Sequence, residues 1–297
     1  MTDPAGLARL LTDAGYLPDE GVATAAYLSL ALSRPLFLEG EAGVGKTSLA
    51  HALAHVVGAD LLRLQCYEGI DASQALYDWD FPRQLLHLRA AESAGTAAGR
   101  ADAERLEQEV YSRRFLLARP LLAALETTPA VLLVDEVDRA DDEFEAFLLE
   151  VLSDYTVTVP ELGTVRAEVP PVVVVTSNRT REVHDALKRR CLYHWVEHPE
   201  FDREVAIVRA RVPEASASLA AQVARAVAVL RAEDLLKPPG VAETIDWTSA
   251  LVALGAQRLD ADTATATLGA VLKYREDQLR ARRLDVQQLL TAAVLGG

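Results

Sequence analysis

Eight consecutive residues constrain this chain more than any other stretch: Gly40 to Thr47 reads Gly-Glu-Ala-Gly-Val-Gly-Lys-Thr. These residues match the phosphate-binding pattern GxxxxGK[ST] at every fixed position. A short apolar run, Pro35–Leu38, precedes the motif and predicts a strand. Apolar residues at helical spacing follow it from Ser48 to Val57. The motif therefore lies between a strand and a helix, the context in which glycine-rich backbone and a helix N-terminus can hold phosphate.

The candidate phosphate ligands all come from this loop and from the first turn of the helix that follows. Lys46 can reach the outer phosphates, and the Thr47 hydroxyl can bind magnesium. The alternative is a glycine-rich turn that binds nothing, and the complete match with suitable flanks disfavours it. The predicted phosphate-binding residues are Gly40, Glu41, Ala42, Gly43, Val44, Gly45, Lys46, Thr47 and Ser48.

Composition limits the classes to which the protein can belong. Half of the 297 residues are hydrophobic and a quarter are charged, which predicts a folded core. No apolar run is long enough to span a membrane, and the acidic N-terminus does not resemble a secretory signal. Cys66 and Cys191 are far apart, which argues against a disulfide framework or a cysteine metal site and favours a cytoplasmic location. The net charge of −14 disfavours non-specific binding to nucleic acid or to anionic membranes.

Short apolar runs predict the strands of an α/β fold. Fully apolar runs are typical of strands that are buried on both faces, as in parallel sheets. Because these runs alternate with helical segments, we expect a parallel sheet with helices on both faces. The predicted strands cover residues 35–38, 61–66, 131–134, 172–175 and 192–196.

The segments between and after these strands carry further patterns. Asp142 with Glu145 is typical of a capping box at a helix start, and residues 156–169 read as a small hairpin. Residues 67–126 show no strong strand, and their stretch Ala90–Glu109 reads as a mobile loop or an exposed helix. Beyond Pro199 the periodicity is helical, including a stripe from Val286 to Val294. We therefore predict two domains, residues 1–198 (α/β) and 199–297 (all helical).

Polar side chains follow two of the predicted strands. Asp135 and Glu136 end the strand 131–134, at the edge of an open α/β sheet where ligands bind. Asp135 would hold magnesium, directly or through water, and Glu136 would activate the attacking water as a general base. Asn178 ends another strand and could orient that water or contact the γ-phosphate, although asparagine is also an ordinary turn residue there.

A basic cluster, Lys188–Arg190, is predicted at the end of a short helix. An arginine that reaches the γ-phosphate in the transition state can raise the rate by about 10³ to 10⁵. If a neighbouring subunit supplied it, catalysis would require a ring. Cations at a helix C-terminus also stabilise the helix itself, and the residues alone leave both interpretations open.

In order and spacing, these motifs resemble the AAA+ ATPases. The segments Arg34–Thr47, Leu64–Gly69 and Val134–Ala140 more narrowly resemble the MoxR family. Two further segments, Ala75–Phe81 and Leu187–Trp195, are similar to its CoxD-type branch. That branch is associated with maturation of molybdenum-containing carbon monoxide dehydrogenases.

The resemblance implies a fold and a role for each candidate residue. It implies an AAA+ P-loop core with a mostly parallel five-stranded sheet and a C-terminal all-helical lid. It also implies an insert within about residues 68–90 and a hairpin within about 155–169, either of which could face a client. The implied roles are Lys46 and Thr47 in the phosphate loop, Asp135 and Glu136 as the Walker B pair, Asn178 as sensor 1, and Arg190, with Arg189 as second choice, as the arginine finger.

The resemblance further implies a hexameric ring that binds ATP and Mg²⁺ and remodels a client protein. The implied partner is a protein with a von Willebrand factor A domain, and the implied client is a metalloenzyme. One departure concerns the sensor-2 arginine of the family, because the corresponding stretch Glu243–Leu251 contains no arginine. Three alternatives remain: a nucleic-acid-linked AAA+ NTPase, a monomeric P-loop kinase, and a slow nucleotide-dependent switch.

Overall fold

The computed structural model describes residues 3–93 and 100–283 and contains one large sheet and two small strand pairs. In this part of the chain the strands are β1 (Leu36–Glu39), β2 (Asp60–Gln65), β3 (Tyr77–Trp79), β4 (Leu116–Ala118), β5 (Ala130–Asp135), β6 (Thr156–Val159), β7 (Gly163–Arg166), β8 (Val172–Ser177) and β9 (Leu192–Trp195).

Helices precede, separate and follow these strands. They are α1 (Pro4–Asp13), α2 (Glu20–Leu32), α3 (Lys46–Val57), α4 (Ala72–Leu76), α5 (Phe81–Ser93), α6 (Arg100–Val110), α7 (Pro120–Glu126), α8 (Asp142–Asp154), α9 (Asp185–Arg190), α10 (Phe201–Arg211), α11 (Ala217–Arg231), α12 (Val241–Ala253), α13 (Ala261–Val271) and α14 (Arg275–Arg283). Short 3₁₀ helices cover Arg113–Phe115 and Val137–Arg139. Within the described ranges, no helix is long and apolar enough to cross a membrane.

The large sheet has the strand order β2-β5-β8-β1-β9. Strands β2, β5 and β8 pair in parallel, with Gln65 opposite Asp135 and Val134 opposite Val175. Strands β1 and β5 are buried along their whole length, because apolar side chains are covered on both faces of a central parallel strand. The predicted α/β fold with a five-stranded, mostly parallel sheet is confirmed. The register brings the carboxyl ends of β2, β5 and β8 to one edge of the sheet.

The chain forms two compact units. The sheet unit comprises Leu28–Leu38 and Leu53–Tyr193. The helical unit comprises the chain up to Tyr27, the segment Glu39–Ala52 and the chain from His194 onward. The phosphate loop thus belongs to the same unit as helices α10 to α14. A domain boundary at residue 198 stays a prediction.

Each unit has its own hydrophobic core. In the sheet unit, β5 and β8 contribute Leu132, Val134 and Val173, and helices α7 and α8 cover them with Leu121 and Leu148. In the helical unit, the central residue is Trp247, which is fully buried and donates a hydrogen bond from Nε1 to Thr267 Oγ1 at 2.7 Å. It packs among apolar residues of α11 and α13, namely Leu219, Val223, Val227, Leu230, Leu268 and Val271.

The structure corrects the predicted start of α8. The N-cap is Asp141, whose side chain accepts a hydrogen bond from Phe144 N at 2.9 Å, and Asp142 is the first helical residue. Glu145 does not complete a capping box. It is 1% exposed, pairs with Arg181, and accepts a hydrogen bond from His184 N at 2.7 Å. The Glu145 side chain, which the sequence pattern assigned to the helix cap, therefore forms a tertiary ion pair instead.

The stretch 67–126 also differs from expectation, because it contains the antiparallel pair β3–β4, with Tyr77 opposite Ala118. Three-residue strands are too short for a periodicity to be visible in the sequence. In the stretch Ala90–Glu109, which read as a loop or an exposed helix, α5 ends at Ser93 and α6 begins at Arg100. At residues 156–169, β6 and β7 form an antiparallel hairpin. The stripe from Val286 to Val294 lies outside the described residues.

Candidate functional site

The phosphate loop lies in the helical unit, between β1 and the first residue of α3. Gly43 and Gly45 have φ angles of +81° and +98°, in the region that only glycine adopts without strain. The Lys46 ammonium group lies over the loop and donates hydrogen bonds to the carbonyl oxygens of Gly40, at 2.7 Å, and Glu41, at 2.6 Å. The loop therefore already holds the lysine of the motif close to its own backbone, where bound phosphate would lie.

Three residues from the C-terminal part of the helical unit approach this loop. His198 Nε2 lies 2.9 Å from Glu41 Oε2. Ala242 N, in the first turn of α12, donates a hydrogen bond to Gly43 O at 3.2 Å. Gly240 approaches so closely that a Cβ atom there would lie 2.6 Å from Ala42 O. The loop and the N-terminus of α12 thus form one packed structure.

The remaining loop residues differ in accessibility. Thr47 is half-buried in the first turn of α3, and its predicted partner is a magnesium ion. Gly40, Val44 and Lys46 are buried, Ala42, Gly43, Gly45 and Thr47 are half-buried, and Glu41 and Ser48 are exposed.

Asp135 ends β5 in the sheet unit and is 3% exposed. Its Oδ1 accepts a hydrogen bond from the Thr176 hydroxyl at 2.6 Å. Its Oδ2 accepts two from the Arg63 guanidinium, from Nη2 at 2.6 Å and from Nε at 3.0 Å. A carboxylate buried to this degree needs hydrogen-bond partners. The predicted magnesium ligand is thus held in a fixed position by its neighbours.

Glu136 follows with a left-handed backbone, at φ +56°, which turns the chain sharply out of the strand. Its N–H donates to Thr176 Oγ1 at 2.9 Å. Its carboxylate accepts hydrogen bonds from three side chains: Asn178 Nδ2 at 3.0 Å, Gln65 Nε2 at 3.1 Å and Arg139 Nη1 at 3.1 Å. The structure thus brings the predicted general base and the predicted sensor 1 into direct contact.

Asp138 was not among the predicted site residues. It is 2% exposed and accepts hydrogen bonds from Asn178 N at 3.1 Å, Thr180 N at 2.8 Å and the Thr180 hydroxyl at 2.7 Å. These bonds fix the loop after β8 and so set the direction of the Asn178 side chain toward Glu136. Asp138 is therefore a support of the site.

Arg63, Gln65 and Thr176 were also missed by the sequence interpretation. Arg63 and Gln65 lie two residues apart on β2, so they share one face of the strand. Their polar type in a mostly apolar strand was the available signal, but using it required knowing that β2 pairs with β5. Thr176 stands directly before the predicted Ser177-Asn178 strand end and is 1% exposed.

The two candidate finger residues lie at the end of α9, as predicted. Arg190 Nε and Nη2 donate to Ser153 Oγ at 3.0 and 2.6 Å, and the Arg189 side chain is 83% exposed. Lys188 differs, because its ammonium group lies 5.6 Å from the centre of the Phe37 ring. An open groove of about 590 Å³ is lined by Ala146, Leu149, Glu150, Ser153, Ala186, Arg189 and Arg190.

Arg34 supports the end of α9 through the main chain. Its guanidinium group donates to the carbonyl oxygens of Arg189, Arg190 and Cys191 at 3.0 to 3.3 Å. These carbonyls have no partner inside the helix, so a cation there satisfies them and stabilises the helix end. Arg190 is thereby presented at the surface by two fixed contacts, one to its backbone and one to its side chain.

The donor set fits magnesium that arrives with a nucleotide. In the described ranges, no group of three or more His, Cys, Asp and Glu side chains could hold a metal ion by itself. Magnesium in phosphate-transfer sites is bound by one or two protein oxygens and otherwise by phosphates and water. The hard oxygens of Asp135 satisfy this requirement, and Oδ2 pairs with one cation, the Arg63 guanidinium.

A phosphate loop after one strand of a parallel sheet, with paired carboxylates after another, defines a P-loop nucleotide-binding protein. The family model of the AAA domain, dynein-related subfamily, matches residues 35–191, which is more than half of the chain. The chain therefore belongs to this AAA family, whose members bind nucleotide, typically with Mg²⁺, and commonly assemble into rings.

Other comparisons add little to this assignment. No curated protein matches the chain. A structure titled as the Holliday junction branch migration motor RuvB of Thermotoga maritima is 14% identical, with a TM-score of 0.48, over 89% of this chain and 68% of that one. A protein of Cytophaga hutchinsonii, described only provisionally as an ATPase, is 13% identical, with a TM-score of 0.47, over 99% of this chain and 94% of that one. Likenesses this distant carry no argument about function.

Proposed function

We propose that this protein is a magnesium-dependent ATPase that acts as a ring, with a hexamer as the expected assembly. The observation that carries the proposal is the carboxylate pair at the end of β5. Asp135 is buried and hydrogen-bonded to Thr176, and Glu136 is in contact with Asn178. Asp135 and Asn178 end neighbouring strands, and the matched phosphate loop follows β1, the next strand of the same sheet.

In this proposal each residue has one task. Lys46 binds the outer phosphates, and Thr47 and Asp135 supply oxygen ligands to the metal. Magnesium bound with ATP neutralises charge that develops on the phosphates. Glu136 accepts the proton of the attacking water, and Asn178 orients that water or the γ-phosphate.

The decisive variant is Glu136→Gln, which keeps the shape of the side chain and removes the base. We expect it to bind ATP with nearly the affinity of the wild type and to hydrolyse it at least about a hundredfold more slowly, the scale of a lost general base. Glu143→Gln is the matched control, because Glu143 is exposed in the first turn of α8. Turnover of Glu136→Gln at the wild-type rate would refute the role of Glu136.

The same variant tests the ring. Light scattering should show a small species without nucleotide and a mass of about six subunits with Mg²⁺ and ATP. A mass of one subunit in both conditions would favour a monomeric P-loop kinase or a switch, neither of which needs a residue from a neighbour.

Arg190 is proposed to act on the nucleotide of a neighbouring subunit, with Arg189 as second choice. Exposure in a surface groove supports this role. Arg190→Ala should lower turnover and leave ATP binding unchanged. When Arg190→Ala protein is mixed with Lys46→Ala protein, some rings should combine an intact loop with an intact arginine and regain activity. An absence of recovery at every mixing ratio would contradict shared sites.

We further propose that the ring remodels a client, in the manner of the MoxR family and its CoxD-type branch. The segments that resemble this branch support the proposal, as does a charge of −14, which suits a protein client better than nucleic acid. The expected partner is a von Willebrand factor A domain protein, and the expected client is a molybdenum hydroxylase such as carbon monoxide dehydrogenase. Co-expression of such an enzyme with wild-type or Glu136→Gln protein should yield metal-replete, active enzyme in the first case alone. Equal yields would argue against maturation.

One observation favours a second candidate, a slow nucleotide-dependent switch. The Glu136 carboxylate accepts hydrogen bonds from three side chains, which compete with water for its oxygens. A switch would show wild-type turnover no faster than that of Glu136→Gln. A nucleic-acid-linked NTPase would instead show hydrolysis that rises when DNA or RNA is added.

A further inference from the structure

The contact between Arg63 and Asp135 joins an accessible cation to a buried carboxylate. The Arg63 side chain is 51% exposed, whereas that of Asp135 is 4% exposed. Both guanidinium contacts, from Nε and Nη2, fall on the same oxygen, Oδ2. A side chain that reaches in from solvent therefore neutralises the carboxylate that the proposed function assigns to a metal.

Asp135 cannot offer Oδ2 to both cations at once. Its other oxygen, Oδ1, accepts the hydroxyl of the buried Thr176 at 2.6 Å, whereas Arg63, which contacts Oδ2, reaches in from an exposed position and can exchange. A magnesium ion needs an oxygen at about 2.0 to 2.1 Å and holds its ligands in strict octahedral geometry. An arginine is always charged, so it would repel a metal ion on the same oxygen and cannot be neutralised by losing a proton.

We propose that Arg63 is a displaceable cation: it occupies the metal-binding oxygen of Asp135 in the nucleotide-free protein and withdraws into solvent when magnesium arrives with nucleotide. This inference rests on the proposed function, because it takes Asp135 to be a magnesium ligand. Arg63 would keep the buried carboxylate oriented between turnovers, and the magnesium concentration needed for loading would be set partly by this exchange.

The same guanidinium group is linked to the predicted general base. Arg63 Nη2 also donates to Gln65 Oε1, and Gln65 Nε2 donates to Glu136 Oε2 at 3.1 Å. While Arg63 is on Asp135, it therefore fixes the amide that holds Glu136. Withdrawal of Arg63 removes that support, so loading of the metal and loosening of the hold on Glu136 would occur together.

The test is a magnesium titration of nucleotide binding, which requires no turnover. The probe is a fluorescent, non-hydrolysable ATP analogue, and the quantity compared is the magnesium concentration at half-maximal tight binding. In Arg63→Gln the competing cation is gone, and we expect this midpoint to fall by about fivefold, the factor that corresponds to a partly exposed ion pair. Damage to the site would raise the midpoint, so the direction of the change separates displacement from a merely structural role.

Arg139→Gln is the matched control. Arg139 is 55% exposed and contacts the adjacent carboxylate, Glu136 Oε2, at 3.1 Å, so this variant removes the same charge from the same neighbourhood without vacating Asp135. Its midpoint should shift far less. A third variant, Arg63→Lys, keeps the charge but cannot span Asp135 and Gln65, and its midpoint should lie between those of the wild type and Arg63→Gln.

Two results would overturn the inference. The first is a magnesium midpoint in folded Arg63→Gln that is equal to or above the wild-type value. The second is a magnesium midpoint that falls as far in Arg139→Gln as in Arg63→Gln. If Arg63→Gln does not fold, Arg63→Lys decides, and an unchanged midpoint there refutes displacement. Wild-type protein that binds no nucleotide with or without magnesium would instead refute the proposed function. Magnesium-dependent binding in the wild type with an unshifted Arg63→Gln midpoint would refute this inference alone.

Discussion

The Thr176 hydroxyl joins the two carboxyl residues of the site, and its removal is the sharpest test of their geometry. The group donates to Asp135 Oδ1 at 2.6 Å and accepts from Glu136 N at 2.9 Å. Thr176 is 1% exposed, so water cannot replace it without opening the sheet edge. Thr176→Val keeps the volume and the branching of the side chain and removes both hydrogen bonds.

The loss of stability follows from the two polar groups that would lose a hydrogen bond, the Asp135 carboxylate and the Glu136 N–H. A hydrogen bond to a charged group contributes about 1.5–3 kcal/mol, and the second bond, to a backbone N–H, contributes about 1 kcal/mol. We therefore expect Thr176→Val to lose about 2.5–4 kcal/mol of stability. For a chain of this size, that loss lowers the melting temperature by about 5–15 °C.

Stability is measured by thermal and urea unfolding, and two control variants separate the contribution of the buried hydroxyl from other effects of the substitution. Thr176→Ser keeps the hydrogen bonds and should lose only about 1 kcal/mol for the buried methyl group. Thr158→Val removes an exposed hydroxyl from β6, 3.3 Å from that of Thr164, and should change stability by less than about 0.5 kcal/mol. If Thr176→Val is as stable as the wild type, or loses no more stability than Thr176→Ser, the hydroxyl does not support the carboxylates and the reasoning fails.

Three further predictions concern other parts of the chain. Burial raises the pKa of both cysteine thiols to about 12, so neither should react with Ellman's reagent at pH 8 until the protein is unfolded, and rapid reaction of the native protein would contradict this burial. Gly240→Ala should lower both the melting temperature and the affinity for nucleotide, because its Cβ would lie 2.6 Å from a loop carbonyl. Gly269→Ala, in the last turn of α13 with space around it, should instead stabilise by about 0.5–1 kcal/mol, and equal effects of the two changes would refute the steric argument. Arg231→Met should cost about 3–5 kcal/mol in urea unfolding, because it leaves Glu204, which is 2% exposed, as an unpaired buried charge. Combining it with Glu204→Gln should recover part of that loss, and no recovery would contradict the pairing.

The features that could be predicted from the sequence are those in which the signal is local. The phosphate loop is a fixed pattern, and β5 and β8 are short apolar runs with few alternatives. Asp135, Glu136 and Asn178 follow these runs directly, so their meeting at one sheet edge follows from the topology of parallel strands. In the structure, Asn178 Nδ2 donates a hydrogen bond to Glu136 Oε1 at 3.0 Å.

The features that could not be predicted depend on contacts between distant segments. Arg63 meets Asp135 only because β2 pairs with β5, and the sequence does not state which strands are neighbours. The N-cap of α8 is Asp141, whereas the sequence pattern predicted the neighbouring Asp142. The choice of Asp141 agrees with a Glu145 side chain that is committed to Arg181, a partner 36 residues away.

The segment Glu243–Leu251, which contains no arginine, meets the phosphate loop at the start of α12. The start of α12 is not separated from the phosphate loop by a side chain. Its backbone touches the loop, through Ala242 N and Gly43 O at 3.2 Å. The side chain that approaches the loop there is Glu243, whose Oε2 accepts a hydrogen bond from Gly240 N at 2.9 Å and would lie 2.9 Å from a Cβ at Gly43. A carboxylate in this position disfavours phosphate rather than attracting it, so it cannot replace an arginine. Any movement of the loop that accompanies binding must instead be transmitted to α12 through backbone contact. Such contact requires glycine at both Gly43 and Gly240, because a side chain on either residue would separate the two segments.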